Sequence, residues 1–303
     1  MPLSNRSLQS ALRMILKSEH HRMITVDQIA HSFMEFTVQF FKDLVSAKLS
    51  GIQIDLSWYR SYFLTRNFSA IDTVIYSGLN KKTIENIYGT FKKSVAYEVA
   101  LDYHDELIKK VEALVDHDFS GLEIELTIKY GGVSVDLSLS ETLIVVTALG
   151  AKRAQIRGGA WSELGKRIEL PLMLTLAKLY SVPEPYYSTK GRTGESREVD
   201  FHFIDGSGIS HYCEVKIMGK GNPEGADSVF PRDSNIFVAD TLSDANKEQL
   251  TRRGRAWVEL SEPDGYRKMF RILKYLDIPC RDFYGDLDAA LDDIIPQVFE
   301  EIA

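Results

Sequence analysis

Arg197 to Lys216 reads REVDFHFIDGSGISHYCEVK. Val199, Phe201 and Phe203 alternate with Glu198, Asp200 and His202, then Asp205-Gly-Ser-Gly208 interrupts the run. Cys213, Val215 and Ile217 alternate with Tyr212, Glu214 and Lys216 on the far side. Period two with one apolar face is the pattern of paired strands, so the stretch predicts a β-hairpin. Directly opposed residues of an antiparallel pair share a face, so Asp200 can face Glu214 only across a loop with an odd number of residues. A three-residue Gly206-Ser207-Gly208 loop meets that condition, because glycine supplies the positive φ such a loop needs. Asp200, Glu214 and Lys216 are then expected on one patch of sheet.

Two adjacent carboxylates repel each other unless a cation stands between them. Magnesium suits such a pair, since it takes oxygen ligands and keeps waters and phosphate oxygens in its shell. Asp200 and Glu214 are the candidate Mg²⁺ ligands, and Lys216 is the candidate group for stabilising developing charge or orienting an attacking water. This chemistry points to phosphodiester hydrolysis. Glu214-Val-Lys216 alone is a weak signal; its place on the second strand of a hairpin gives it weight. The bland alternative is an ordinary polar face of an edge hairpin.

The flanks extend the pattern. Trp161 to Tyr180 carries Leu164, Ile168, Leu172, Leu176 and Leu179 at helical spacing, with Ser162 as N-cap and Pro171 as a point of kinking. Asn235 to Asp240 reads as a buried strand, Ser243 to Arg253 as a helix capped by Ser243, and Ala256 to Leu260 as another strand. The predicted order is αβββαβ, an α/β fold with a mixed sheet flanked by helices.

That order, with Asp200 and Glu214-Val-Lys216, resembles the PD-(D/E)XK nuclease core of most Type II restriction endonucleases. SGLNKKTIENIYGTFKK (Ser77–Lys93), YGGVSVDLSLSETLIVV (Tyr130–Val146) and RGGAWSELGKRIE (Arg157–Glu169) are similar to CfrBI-type restriction endonucleases. One departure is plain: Val199 stands where the motif has proline. The resemblance implies a further acidic residue on the helix before the hairpin. Glu163 and Glu169 are six residues apart and fall on different helix faces, so one of them is expected to serve. Glu169, in a Gly-Lys-x-x-Glu pattern, is the favoured one.

At 303 residues with 44% hydrophobic side chains, the chain can build a substantial core. The expected division is a helical subdomain over 1–120, for packing, dimerisation and possible DNA contact, and a nuclease domain over 121–303. Apolar runs are too short for a membrane span and MPLSNRSLQS lacks a signal-peptide centre, so a soluble cytoplasmic protein is expected. Cys213 and Cys280 are too few for a disulfide framework or a zinc site. Histidine clusters of the HNH or HExxH kind, a Ser-His-Asp signature and a phosphate-binding Walker loop are all missing, so no nucleotide cofactor is expected.

The net charge of −7 speaks against a nucleic-acid partner until its distribution is read. Residues 152–197 hold nine basic against four acidic side chains, whereas residues 281–303 hold one basic against seven acidic. Phosphate binding depends on the local patch. Candidate DNA contacts are Lys152, Arg153 and Arg157 in a basic loop over 152–159, then Lys190, Arg192 and Arg197, then Lys220, Asn222 and Arg232 in loops beside the site. Lys247, Arg252, Arg253 and Arg255 form a further phosphate face. Thr25 is read as capping a helix that carries Val26, Phe33, Phe40 and Leu44. Ser138-x-x-Glu141 is read as a capping box opening a helix that ends at Gly150, and Gly131-Gly132 as a hairpin turn.

The reading is a Mg²⁺-dependent Type II restriction endonuclease cutting double-stranded DNA at a short palindromic site as a homodimer. Two rivals remain. The helices flanking Gly89-Thr90 suit a helix-turn-helix regulator without nuclease activity, and a structure-specific repair or mobile-element nuclease shares the fold.

Overall fold

The computed structural model describes residues 3–64, 69–76, 79, 81–90, 92–117, 125–189, 201–217 and 234–302. In chain order the helices are α1 (Asn5–Leu16), α2 (Arg22–Leu49), α3 (Leu56–Phe63), α4 (Ala70–Tyr76), α5 (Lys81–Tyr88), α6 (Lys93–His117), α7 (Leu139–Leu179), α8 (Asp244–Arg252), α9 (Arg267–Tyr275) and α10 (Leu287–Glu301). The strands are β1 (Leu126–Tyr130), β2 (Val133–Leu137), β3 (Tyr187–Ser188), β4 (Phe201–Ile204), β5 (Ser210–Lys216), β6 (Ile236–Ala239) and β7 (Ala256–Glu259). Contacts divide the chain into a sheet unit, residues 1–28 with 160–303, and a helical unit, residues 29–159. This boundary differs from the expected one at 120/121: α1 joins the sheet unit, and the β1–β2 hairpin joins the helical unit.

The sheet unit is built on five strands in the order β3-β4-β5-β6-β7. The β3–β4 and β4–β5 pairs are antiparallel, and the β5–β6 and β6–β7 pairs are parallel. The expected αβββαβ order is therefore present as α7, β4, β5, β6, α8 and β7. β3 adds a short strand at the edge of β4, where Tyr187 stacks on Phe201 with ring centroids 5.6 Å apart.

The alternation in the sequence follows the burial. Phe201, Phe203, Cys213, Val215, Ile236, Val238 and Val258 enter one core with Leu164, Ile168 and Leu172 of α7, Leu8 and Leu12 of α1, and Met269 and Leu273 of α9. Phe237 and Ala239 enter a smaller cluster with Leu242 and Leu250 under α8. Ser243 caps α8, its hydroxyl accepting from Asn246 N–H as expected. Lys247 then fastens α8 to β7 through Glu259 at 2.5 Å and Glu262 at 2.9 Å. Those bonds raise its pKa above the usual lysine value, so its ammonium belongs to the scaffold rather than to an open phosphate face.

Two expectations fail at helix ends. α7 does not stop at Gly150 or open into a loop at 152–159; it continues through both and past Pro171. Four glycines inside it (Gly150, Gly158, Gly159 and Gly165) each weaken a helix by about 1 kcal/mol. Burying one leucine or isoleucine gains about 1.5–3 kcal/mol, and Ala148, Ala160, Leu164, Ile168, Leu172 and Leu176 are all buried along its length. Packing outweighs propensity. Similarly, α2 starts at Arg22, so Thr25 is a buried helical residue instead of a cap, and Val26 is 44% exposed.

In the helical unit, the short-range readings hold. Gly131 and Gly132 take φ +59° and +82° and close the β1–β2 hairpin with Tyr130 opposite Val133. Gly89, at φ +64°, separates α5 from α6. Phe40 gathers Phe36, Trp58, Tyr62 and Phe63 with ring centroids within 5.9 Å, an aromatic core. The capping box forms: Glu141 N–H donates to Ser138 Oγ at 3.3 Å, and Ser138 N–H donates to Glu141 Oε2 at 2.9 Å. Lys48 adds an ion pair to Glu141 at 2.7 Å.

Burial alone would raise the Glu141 pKa, but Lys48 and Ser138 outweigh it and hold it below the usual value. A depressed folded pKa means that this stabilisation is complete above the unfolded carboxylate value of about 4.3 and is lost as pH falls through the lower folded value. Glu141→Gln is expected to lower the thermal unfolding midpoint at neutral pH, with the gap from the parent closing below about pH 4. Ser138→Ala should cost about 1 kcal/mol at both pH values. Unfolding followed by circular dichroism at two pH values checks both.

Candidate active site

The β4–β5 hairpin has the parity that the sequence calls for. Phe201 pairs with Cys213, His202 with Tyr212, Phe203 with His211 and Ile204 with Ser210. Asp205 N–H bonds to Ile209 O at 3.0 Å and Gly208 N–H to Asp205 O at 3.0 Å, leaving Gly206-Ser207-Gly208 as the loop. Gly208 adopts φ +83°, the left-handed backbone that glycine takes at no steric cost. Asp205 Oδ1 accepts from Ser207 and Ile209 N–H at 2.8 and 2.9 Å, and Oδ2 meets His211 Nε2 at 3.0 Å. The Ile209 N–H and then His211 hold its carboxyl below the usual carboxylate range. His211, on the opposite face from Glu214, is thus occupied in fastening the loop.

Glu214 and Lys216 share the other face of β5. Glu214 is 4% exposed, and its Oε1 lies 2.8 Å from Lys216 Nζ. Lys216 Nζ also stands 3.7 Å from Glu169 Oε1, brought in by α7. Three charged side chains from a strand and a helix thus meet, with a formal sum of one negative charge. The parallel ladder sets Glu214 beside Phe237 and Lys216 beside Ala239, so apolar neighbours on β6 exclude water from one side. Charges in such surroundings interact more strongly than in water. Next along the hairpin, His202 and Tyr212 pair across the strands with ring centroids 5.3 Å apart. Burial lowers the His202 pKa, which keeps the ring neutral near pH 7.

Asp200 lies outside the described residues, as do Lys190, Arg192, Arg197, Lys220, Asn222 and Arg232. Glu163 is engaged elsewhere: its Oε1 accepts from Leu3 N–H at 3.1 Å and from Arg167 at 2.9 Å. Lys152 and Arg153 lie on α7 in the helical unit. Lys152 Nζ sits 5.0 Å from the centre of the Phe36 ring, and Arg153 5.8 Å from that of Phe33. Burial lowers the Lys152 pKa, against the pull of Asp72. Arg157 is exposed. Arg252 pairs with Glu248 at 2.6 Å.

Among the described residues no cluster of three or more His, Cys, Asp or Glu is arranged to hold a metal. The donors that do meet at Lys216 are carboxylate oxygens, the chemistry that hard divalent cations take.

A family model for the CfrBI restriction endonuclease matches residues 5–247. The chain belongs to the CfrBI restriction endonuclease family. Membership makes it a restriction enzyme that cleaves DNA. No curated protein and no solved structure matches the chain. The match takes in α7, the catalytic-candidate hairpin and β6 of this restriction endonuclease, and stops within α8. No described helix is long and apolar enough to cross a membrane.

Cys213 packs directly behind the site and is 1% exposed; burial raises its thiol pKa far above the usual value. Native protein treated with a thiol-specific reagent at pH 8 should therefore label at Cys280 only, with Cys213 reacting after denaturation. Peptide mapping of labelled protein checks this.

Proposed function

We propose that this restriction enzyme is a Type II endonuclease that hydrolyses both strands of double-stranded DNA at a short palindromic site, using Mg²⁺. The observation that carries the reading is the meeting of Lys216 with Glu214 and Glu169 at 2.8 and 3.7 Å on the sheet face of an odd-loop hairpin. The odd-membered loop that the sequence reading requires is present; Asp200, proposed as the second carboxylate, rests on the sequence alternation alone.

Asp200 and Glu214 are the residues that would hold Mg²⁺; their oxygens are the donors it prefers, and the ion would supply Lewis-acid stabilisation of the charge that builds on the phosphate. Lys216 orients the attacking water by donating to it and offsets negative charge at the phosphorus centre. Glu169 holds the Lys216 ammonium from the helix side, so that the side chain projects in one direction. Phe237 and Ala239 keep that side of the site dry. A two-fold homodimer is the natural assembly for a palindrome, because it offers one such centre to each strand. Among the candidate phosphate contacts, Arg153 and Arg157 are exposed; Lys152, Lys190, Arg192, Arg197, Lys220, Asn222 and Arg232 keep their proposed roles on sequence grounds.

Purified protein should convert plasmid DNA into discrete bands with Mg²⁺ and leave it intact with a chelator. Lys216→Ala and Asp200→Ala should each lower the cleavage rate by about 100-fold or more, with duplex binding in the absence of metal within a few-fold of the parent. Parent-rate cleavage by Lys216→Ala would sink the assignment, and a smear in place of bands would favour a structure-specific nuclease.

A further inference from the structure

The sheet face that carries Glu214 and Lys216 continues past them towards β4. Side chains two apart on a strand share a face, and so do directly opposed residues of an antiparallel pair. Tyr212 therefore lies on the face of Glu214, and His202, which pairs with Tyr212, lies there too. Phe201, Phe203, Cys213 and Val215 turn the other way, into the core. His202 is thus the diagonal neighbour of Glu214, a relation that sets side chains about 7 Å apart and within reach of long ones. Over β6 and β7 the face is taken by the apolar cluster of Phe237, Ala239 and Trp257 under α8. His202 and Tyr212 are only partly buried.

The His202 ring is held by its surroundings. Tyr212 packs against it with centroids 5.3 Å apart and planes tilted by 44°. Tyr212 is fixed in turn on its far side, its N–H donating to Asn235 Oδ1 at 3.0 Å and its carbonyl accepting from Asn235 N–H at 2.8 Å. Ser188 of β3 stands on the other flank, opposite His202. Of the two ring nitrogens, Nδ1 is covered and has no hydrogen-bond partner. A buried polar atom left unpaired costs stability, and a role in binding or catalysis is one of the few reasons to keep it.

We propose that His202 is a substrate-contacting residue of the cleavage site, donating from Nε2 to a non-bridging oxygen of the DNA phosphate next to the scissile one. The proposal rests on the nuclease reading above and adds a contact which that reading does not use. The direction of the hydrogen bond follows from the ring itself. An orphaned buried N–H is rarer than an orphaned acceptor, so in the neutral ring the proton sits on Nε2; in the imidazolium both nitrogens carry one. Nε2 is a donor in either form. A donor calls for an acceptor, whereas a metal ion would need the nitrogen lone pair. The acceptors that DNA brings beside Glu214 and Lys216 are phosphate oxygens. The diagonal offset from Glu214 is comparable with the step between successive phosphates of one strand, which assigns the neighbouring phosphate rather than the reacting one.

The test uses full-length protein, a plasmid, a fluorescent duplex spanning the mapped cut site, and three variants. His202→Phe keeps a ring against Tyr212 but has no donor. His202→Gln puts an amide N–H near the position of Nε2, and the shorter His202→Asn reaches only that of Nδ1. Affinity is measured in chelator and kcat/KM with Mg²⁺. His202→Phe is expected to lower one or both by about 10-fold or more, the loss of a hydrogen bond to a charged acceptor. His202→Gln should return to within about 3-fold of the parent, and His202→Asn should not. The thermal unfolding midpoint of His202→Phe should stay at or above the parent's, because the variant removes an unpaired nitrogen; a purely structural ring would lower it. Parent affinity and parent kcat/KM in His202→Phe overturn the contact, as does a loss that His202→Gln shares in full or one that tracks a lowered midpoint. Parent protein that cuts and is silenced by Lys216→Ala, while His202→Phe binds and cuts normally, removes the contact and leaves the nuclease reading intact. Parent protein that binds duplex with the predicted loss and rescue yet never cuts with Mg²⁺ removes the nuclease reading instead.

Discussion

Parity in one hairpin loop governs everything at the candidate centre. With Gly206-Ser207-Gly208 closed by the Asp205–Ile209 bond, Glu214 and Lys216 lie on the face opposite Cys213 and Val215. One residue more or less in that loop would change which residues of β4 share a face with Glu214. The Asp205 carboxylate, saturated by two backbone N–H groups and His211, is a local device for keeping that count. The parallel ladder from β5 to β6 then fixes the surroundings, setting Phe237 and Ala239 beside the charged pair. Glu169 arrives because α7 packs its apolar stripe on the same sheet unit.

Much of this was legible in the primary structure because it is short-range. The hairpin, the Ser138–Glu141 capping box, the Ser243 cap and the Gly131-Gly132 turn each depend on residues within about fifteen positions, and each has a fixed chemical signature. That Glu169, and not Glu163, stands beside Lys216 was half legible. Helical spacing separates their faces, but the tie between Glu163 and Leu3 spans 160 positions and leaves no pattern to read.

Readings failed where packing overrides local preference. Gly150 and the glycine-containing basic run looked like loop, yet buried leucines and isoleucines carry α7 through them. Thr25 looked like a cap because threonine favours that position, yet the chain had already become helical at Arg22. Lys152 and Arg153 were read in that imagined loop, whereas they are helical and lie over Phe36 and Phe33. A contact such as that of His21 with Asp240 could not have been found from spacing at all. Its two residues come from the α1–α2 junction and from the end of β6, and only the fold brings them together.

The family match stops at residue 247, but the sheet does not. β7 covers the edge of β6, and Val258, Met269, Leu273 and Val298 fill the same core as the hairpin. The smallest recognisable piece is consequently smaller than the smallest foldable one. A chimera joined at the limit of recognition would leave β6 with open backbone groups along its length, a template for self-association, and would discard apolar contacts that support the sheet from behind.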